Sequence, residues 1–120
     1  MKTFFLSITL LLIGLQGFCQ SNQKVNADQP IVDNEKVRVY SYEASPGKDV
    51  CGLGKHSHPA HLTVLLTDAN ITITSPDGKV SSVKMKAGSS FWSEAEIHTV
   101  INSGTNEVKC QIIELKKPKF

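Results

Sequence analysis

The sequence has no strong excess of charge of one sign. It contains 13 Lys and Arg residues against 11 Asp and Glu residues, which gives a formal net charge of +2 at pH 7 with neutral histidines. Domains that bind nucleic acid usually carry a large positive charge or a dense basic patch. The near-neutral balance therefore argues against nucleic acid as a partner.

The sequence also lacks a helical period of useful length, an internal repeat and a low-complexity segment. From residue 31 onward, short runs rich in Val, Ile and Thr alternate with turn residues at close spacing. This pattern is typical of an antiparallel β-barrel or sandwich. A chain of 120 residues has room for one such domain with one modest core.

No apolar run is long enough to cross a membrane as a helix. The longest, over residues 4–15, is followed by Gln16, whereas a spanning helix needs roughly 20 apolar residues. With Lys2 in front of it and small residues near its end, the run instead predicts a bacterial signal peptide over residues 1–19. We expect a flexible linker over residues 20–30 and a single domain over residues 31–120.

Cleavage of this signal would leave a periplasmic or secreted protein with no stable membrane insertion. Loss of Lys2 changes the charge balance to 12 minus 11, a net charge of +1. A lipoprotein signal would instead keep Cys19 as a lipidated first residue. Such signals have a small side chain before the cysteine, where this sequence has Phe18, so cleavage without lipidation is the favoured interpretation.

Cysteine is scarce, and only Cys51 and Cys110 follow the predicted signal peptide. In an oxidising compartment this even pair is free to form a disulfide. Both residues also adjoin apolar segments, where free cysteine is commonly buried. A disulfide and two separate buried thiols therefore stand as equal alternatives.

Seven segments are predicted to be strands, separated by turn residues. They span residues 36–44, 62–67, 70–75, 79–86, 89–92, 98–102 and 107–116. Pro76-Asp77-Gly78 predicts a hairpin turn, because proline presets the first turn angle and glycine accepts a positive φ. The run at 64–66 is apolar on both faces, so either loops or a second subunit cover the outer face. The second case would make the protein a homodimer.

All four histidines fall into one short segment and one later position. Three lie in His56-Ser57-His58-Pro59-Ala60-His61, and the fourth is His98. A spacing of two on an extended segment points His56 and His58 to the same side. Pro59 then bends the chain, so that the next strand begins with His61 turned inward. We therefore predict that the four imidazoles bind one metal ion.

Imidazole nitrogen is a common protein ligand for transition metals, and a site without thiolate leaves coordination positions open for water or substrate. The predicted cofactor is one divalent transition metal: iron, manganese, zinc, copper or nickel. An exported chain takes up its ion outside the cytoplasm, where ferrous iron is easily oxidised. Zinc, manganese and copper remain open on that argument.

Residues 31–117 resemble the small single-domain cupins of bacteria, here in an exported form. Pro46-Gly47 followed by His56-Ser57-His58 is similar to the first cupin motif with a longer loop, and the whole segment resembles the HxHPxH variant of that motif. His61 stands where the family usually has a glutamate ligand. The resemblance implies an all-β, single-domain, cupin-type antiparallel β-barrel of jelly-roll-like form.

The second cupin motif is similar but degraded. Gly88 opens it, and His98 and Asn102 keep its closing spacing. Glu94 and Glu96 replace the proline and second glycine of the turn, so Glu96 is expected at a position of positive φ. Either glutamate would then reach the metal or act as a general base beside it, or both are solvated charges on an exposed loop.

The cupin superfamily contains enzymes, sensors and storage proteins, so the resemblance alone does not select a function. The first hypothesis is a small metal-dependent enzyme, with a quercetinase-like dioxygenase as the first reaction to test and an isomerase as a related one. The second is a non-catalytic periplasmic module that binds a metal or a small-molecule ligand. The absence of a second domain that could close over a substrate favours the latter.

Overall fold

The computed structural model describes residues 29–118, which form nine strands and no helix. The strands are β1 Val32–Asp33, β2 Val37–Ala44, β3 His56–His58, β4 His61–Leu65, β5 Ala69–Thr74, β6 Val80–Met85, β7 Ser90–Ser93, β8 Glu96–Asn102 and β9 Val108–Leu115. The predicted signal peptide, Cys19 and most of the predicted linker lie outside the described residues. Within them, no helix is long and apolar enough to cross a membrane.

The strands form two sheets in which every described pairing is antiparallel. One sheet has the order β1-β2-β9-β4-β7, and the other has the order β3-β8-β5-β6. The core lies between them and is built from alternate residues such as Leu65, Val100 and Ile112. Alternation along β4, β8 and β9 buries one face of each strand, as expected for sheets packed face to face. The predicted all-β antiparallel fold is confirmed.

Each of the seven predicted strands has a counterpart, and β1 and β3 are additional. β1 has two residues and β3 has three, which is too short to show a hydrophobic period. The predicted hairpin at residues 76–78 joins β5 to β6. Gly78 has φ of 82° there, and its N–H donates to the Ser75 carbonyl at 2.9 Å.

The backbone at Glu96 differs from the expectation. Among the described residues only glycines have positive φ, so the predicted strain at Glu96 is wrong. Glu96 is the first residue of β8 and pairs with His58 of β3. This antiparallel ladder requires an extended backbone with negative φ, and the strand therefore begins two residues earlier than predicted.

Both cysteines after the predicted signal peptide are free and buried. Cys110 lies on the core face of β9, opposite Tyr42 and Leu65 in the two neighbouring strands. Cys51 lies in the loop between β2 and β3. Of the two alternatives, the structure has the separate buried thiols.

The end of β8 is fastened by Asn102, the residue four positions after His98. Its side-chain amide donates to the Ala44 and Asn106 carbonyls at 2.9 and 2.8 Å, and its Oδ1 accepts from the Gly104 N–H at 3.0 Å. Buried polar groups are stabilised when hydrogen-bonded in this way. Asn102 thus ties β8, which carries His98, to the end of β2.

Candidate metal centre

The two histidines of β3 point to the same side of the strand, as their spacing predicts. The Nε2 atoms of His56 and His58 lie 2.9 Å apart. Strand β3 pairs with β8 so that His56 is directly opposite His98, and the centroids of these two rings are 4.8 Å apart. Cross-strand pairing therefore brings the fourth histidine of the sequence to the first pair.

His61 enters the same cluster from the other sheet. It is the first residue of β4 and is 1% exposed. Its Nδ1–H donates to the Pro59 carbonyl at 2.7 Å, and its ring centroid lies 5.0 Å from that of His58. The inward turn after Pro59 is as predicted, and the structure brings all four histidine rings together at one end of the barrel.

Hydrogen-bond partners define which ring nitrogens carry protons. A carbonyl oxygen only accepts, so the Nδ1 atoms of His56 and His61 must donate to the Gly54 and Pro59 carbonyls, both at 2.7 Å. The Nδ1–H of His58 donates to Oε1 of Glu114 at 3.4 Å. Each of these three rings then presents the lone pair of Nε2, which is the arrangement common among metal-binding histidines.

His98 is the one ring of the four without such an anchor. It is 7% exposed, and neither of its ring nitrogens has a hydrogen-bond partner. A buried polar group without a partner costs about 1–3 kcal/mol. The nitrogens of His98 therefore lie without hydrogen bonds beside three imidazoles that present the lone pair of Nε2. A metal ion accepts such lone pairs, so these residues are suited to bind one.

The cluster favours neutral rings. Burial, together with the neighbouring imidazoles of His56, His61 and His98, lowers the pKa of His58 to about 3. Burial also lowers the pKa of His98, although the carboxylate of Glu96 opposes that shift. Metal binding requires the neutral imidazole, and the site holds these two rings in that form at neutral pH.

The two glutamates predicted as site residues lie in different surroundings. Oε1 of Glu96 is 3.4 Å from Nδ1 of His98 and 3.9 Å from Nε2 of His61, and its side chain is 37% exposed. Glu94 is exposed, and its carboxylate accepts a hydrogen bond from Nε1 of Trp92 at 2.9 Å. The structure therefore brings Glu96 to the histidines and leaves Glu94 outside the cluster.

Two residues of the cluster were not predicted as site residues. Glu114, only 8% exposed, contacts His58 from β9, and burial raises the pKa of its carboxyl group. Glu114 continues the buried face of β9 after Val108, Cys110 and Ile112. An acidic residue at a position where the alternation predicts an apolar one is the signal that could have identified it as a site residue. The other is Cys51, whose Sγ lies 3.8 Å from Nε2 of His58. Its position five residues before His56 was the only hint.

A cavity of about 100 Å³ adjoins the cluster inside the barrel. Most of its wall is apolar, from core residues of both sheets, and the polar end is formed by Cys51, His61, Glu96 and His98. Pockets for drug-sized ligands have volumes of about 300–1,000 Å³. This cavity is therefore suited to water, dioxygen or a ligand of a few heavy atoms.

Comparison with known proteins finds similar structures. No protein-family model matches the chain, and no curated protein matches it. A cupin domain from Bordetella pertussis Tohama I matches with a TM-score of 0.66 and 27% identity, over 74% of this chain and 91% of that one. An RmlC-like cupin family protein with a double-stranded β-helix fold, from Methanocaldococcus jannaschii, has a TM-score of 0.58 and 13% identity, over 72% and 76% of the two chains.

The polyketide cyclase RemF from Streptomyces resistomycificus is also similar, with a TM-score of 0.53 and 16% identity over 75% of this chain and 65% of that one. These structural neighbours confirm the predicted cupin-type fold, the double-stranded β-helix. The HxHPxH variant of the first motif and export of the chain stay predictions. The structure adds a group of His and Cys donors placed to bind a metal.

Proposed function

We propose that the protein binds one divalent transition metal through His56, His58, His61 and His98. The observation that carries the proposal is the 2.9 Å separation of the Nε2 atoms of His56 and His58, because both Nδ1 atoms are already committed as donors. In the metal-free protein a proton on one Nε2 makes this contact an N–H···N hydrogen bond. An ion that replaces that proton would bind both nitrogens. Two nitrogens that bind one ion at about 2.1 Å are about 3.0 Å apart at a right angle, which occurs together with trigonal angles in a five-coordinate site.

The chain's own residues support a second role at the same place, the handling of a small ligand in the adjoining cavity. A bound ion would act there as a Lewis acid or electron relay toward an oxygen ligand. Glu96 is placed to accept or return a proton at Oε1, beside His61 and His98. The wall of the cavity is mostly apolar, and its volume of about 100 Å³ is too small for a flavonol, the kind of substrate that a quercetinase-like reaction requires.

We propose a metal-dependent enzyme, such as a small dioxygenase, as the first form of this function. A non-catalytic module that binds a metal or small ligand is the second form. Glu94 lies outside the cluster, which leaves Glu96 as the predicted glutamate at the cavity. We propose that either form acts in the periplasm or outside the cell, as the predicted signal peptide supports.

The experiment is the metal content of the chain, expressed with its own leader and purified from the periplasm without a histidine tag. We expect close to one equivalent of one transition metal. His98→Ala and the bulkier His98→Gln should lower it about tenfold or more, whereas Ile97→Ala, on the exposed face of the same strand, should not. Less than about a tenth of an equivalent in the parent protein would contradict the proposal, since tight sites retain their metal.

The two forms of the function differ in product formation. An enzyme converts a ligand, and His98→Ala should lower the metal content and abolish turnover together. A binding module shows ligand-dependent thermal stabilisation without product, so a converted ligand detected by mass spectrometry would exclude it. Turnover that persists in the metal-free protein would exclude the metal-dependent enzyme.

A further inference from the structure

Cys51 is held against the histidine cluster by a loop that is fastened to β8. Its N–H donates to Oδ1 of Asp49 at 2.9 Å, and the Gly52 N–H donates to the same oxygen at 2.7 Å. The Val50 N–H donates to the Val100 carbonyl at 2.8 Å, and Asp49 forms a bridge with Ile101. The loop that carries the thiol is therefore tied to the strand that carries His98.

The thiol lies at ligand distance from the imidazoles. Sγ of Cys51 is 3.8 Å from Nε2 of His58, and the donor atoms of Cys51, His56 and His58 all lie within 4.8 Å of one another. Ligands at about 2.3 Å for sulfur and about 2.1 Å for nitrogen are about 3.6–3.8 Å apart at angles between tetrahedral and trigonal. The observed separation falls in that interval.

An ordinary buried cysteine would explain the burial of Cys51, which is 3% exposed, but not its neighbours. Cys110 is equally buried and lies between apolar and aromatic side chains of adjacent strands. Both cysteines border the cavity, but only Cys51 also contacts an imidazole, that of His58. The cavity is bordered as well by His98, whose two buried ring nitrogens have no hydrogen-bond partner. That unpartnered ring is an independent sign that a ligand belongs between these groups.

We propose that Cys51 supplies a thiolate ligand to the same ion as His56 and His58, an inference that rests on the proposed metal site. When the metal–sulfur bond forms, the S–H bond breaks and its proton passes to the solvent. A thiolate among imidazoles is a soft ligand set, which selects zinc or copper over manganese. Of zinc, manganese and copper, the three metals that the export argument leaves open, the thiolate favours zinc and copper.

The first test is spectroscopic. The metal-free protein without its predicted signal peptide is loaded with Co²⁺ as a substitute for zinc. We expect a thiolate-to-metal charge-transfer band in the near-ultraviolet. X-ray absorption of the zinc-loaded protein should show one sulfur at about 2.3 Å besides nitrogen at about 2.0–2.1 Å. Cys51→Ser should lose the band and the sulfur while it still binds metal, and the matched variant Cys110→Ser should keep both.

A second readout counts protons. Zinc binding followed by titration calorimetry in buffers of different ionisation enthalpy should release one proton more from the parent protein than from Cys51→Ser. A loaded parent protein with only nitrogen and oxygen ligands would overturn the thiolate and leave the histidine site intact. A charge-transfer band that persists in Co²⁺-loaded Cys51→Ser would also exclude Cys51 as the thiolate ligand. Failure of the parent protein to take up any metal would overturn both proposals.

Discussion

At the scale of single residues, Glu114 determines how His58 is presented. Its carboxylate accepts from Nδ1 of His58 at 3.4 Å, and both side chains are buried. A carboxylate behind a ligating imidazole fixes the ring and raises its basicity toward a metal. Glu114 therefore acts as a positioning residue.

We predict that Glu114→Gln lowers the affinity for the metal by about 10–100-fold, because it removes the charge behind His58 and keeps the side-chain shape. Competition with a chromophoric chelator measures the affinity, and urea unfolding checks that the fold persists. Glu43→Gln is the matched control, since that carboxylate makes only an exposed ion pair with Lys109. Equal affinities of Glu114→Gln and the parent protein would exclude this role.

The sequence alone predicts the convergence of the histidines but not their complete surroundings. Spacing along an extended segment is a local property, so the shared direction of His56 and His58 follows from the sequence. Glu114 and Cys51 reach His58 through non-local pairing of strands and loops. These contacts depend on how strands and loops far apart in the sequence are aligned with each other, which composition and hydrophobic period do not specify.

At the scale of the elements, β3 is the weakest support of the site. It has three residues, lies at the edge of its sheet and pairs only with β8. Short edge strands open at low free-energy cost. A metal that joins the β3 histidines to His98 would add a cross-link where the ladder has only three residue pairs.

We predict that metal binding slows amide hydrogen exchange in β3 by up to about 100-fold at a free-metal concentration of about 100 times Kd. Strand β6, at the opposite edge of the same sheet, carries no residue of the cluster and serves as an internal control with little change. Mass spectrometry of peptides from the two strands provides the measurement. Equal protection of β3 with and without metal would exclude the cross-link.

The elements that the sequence reveals are those with enough length to show alternation. In β4, buried and half-buried residues alternate over all five positions, and β9 is an eight-residue strand with a similar alternation. Strands β1 and β3 are too short for such a pattern. The resemblance to the cupin motif predicts a turn at Glu96, whereas its pairing with His58 places it in β8, because tertiary pairing overrides a local turn preference.

At the scale of the whole molecule, the histidine cluster connects two sheets. His56, His58 and His98 belong to one sheet and His61 to the other. In the metal-free protein, folding therefore buries several imidazoles together. The lowered pKa of His58, caused first by burial and then by its neighbouring imidazoles, makes stability depend on pH.

We predict that the metal-free protein loses stability as the pH falls below about 6.5. The unfolded chain takes up a proton near pH 6.5, while folded His58 remains neutral down to about 3. The unfolded state then binds more protons, so each such histidine lowers the free energy of unfolding by about 1.4 kcal/mol per pH unit. Urea unfolding between pH 7 and 5 measures the slope, and His58→Gln should reduce it. The same slope in both proteins would contradict the assignment to His58.

The outer face of the five-stranded sheet bears on the predicted homodimer. Register aligns an apolar row across all five strands, formed by Val32, Val39, Ile113, Leu62 and Trp92. Val32 and Trp92 are exposed, and the three residues between them are half-buried. Contiguous apolar side chains at a surface mark interaction sites. We predict a dimer in analytical ultracentrifugation that Trp92→Ser weakens and Ile97→Ser, on the other sheet, does not. A parent protein that stays monomeric at every concentration would exclude the dimer.

One ion held jointly by histidines of both sheets is the central claim, and a crystal of the metal-loaded protein tests it most directly. An anomalous difference map at the absorption edge of the bound metal should contain one strong peak per chain. We predict the peak at about 2.0–2.3 Å from Nε2 of His56 and His58, with His61 and His98 also coordinating. A loaded crystal without a peak at the cluster, or with its peak elsewhere on the chain, would contradict the claim.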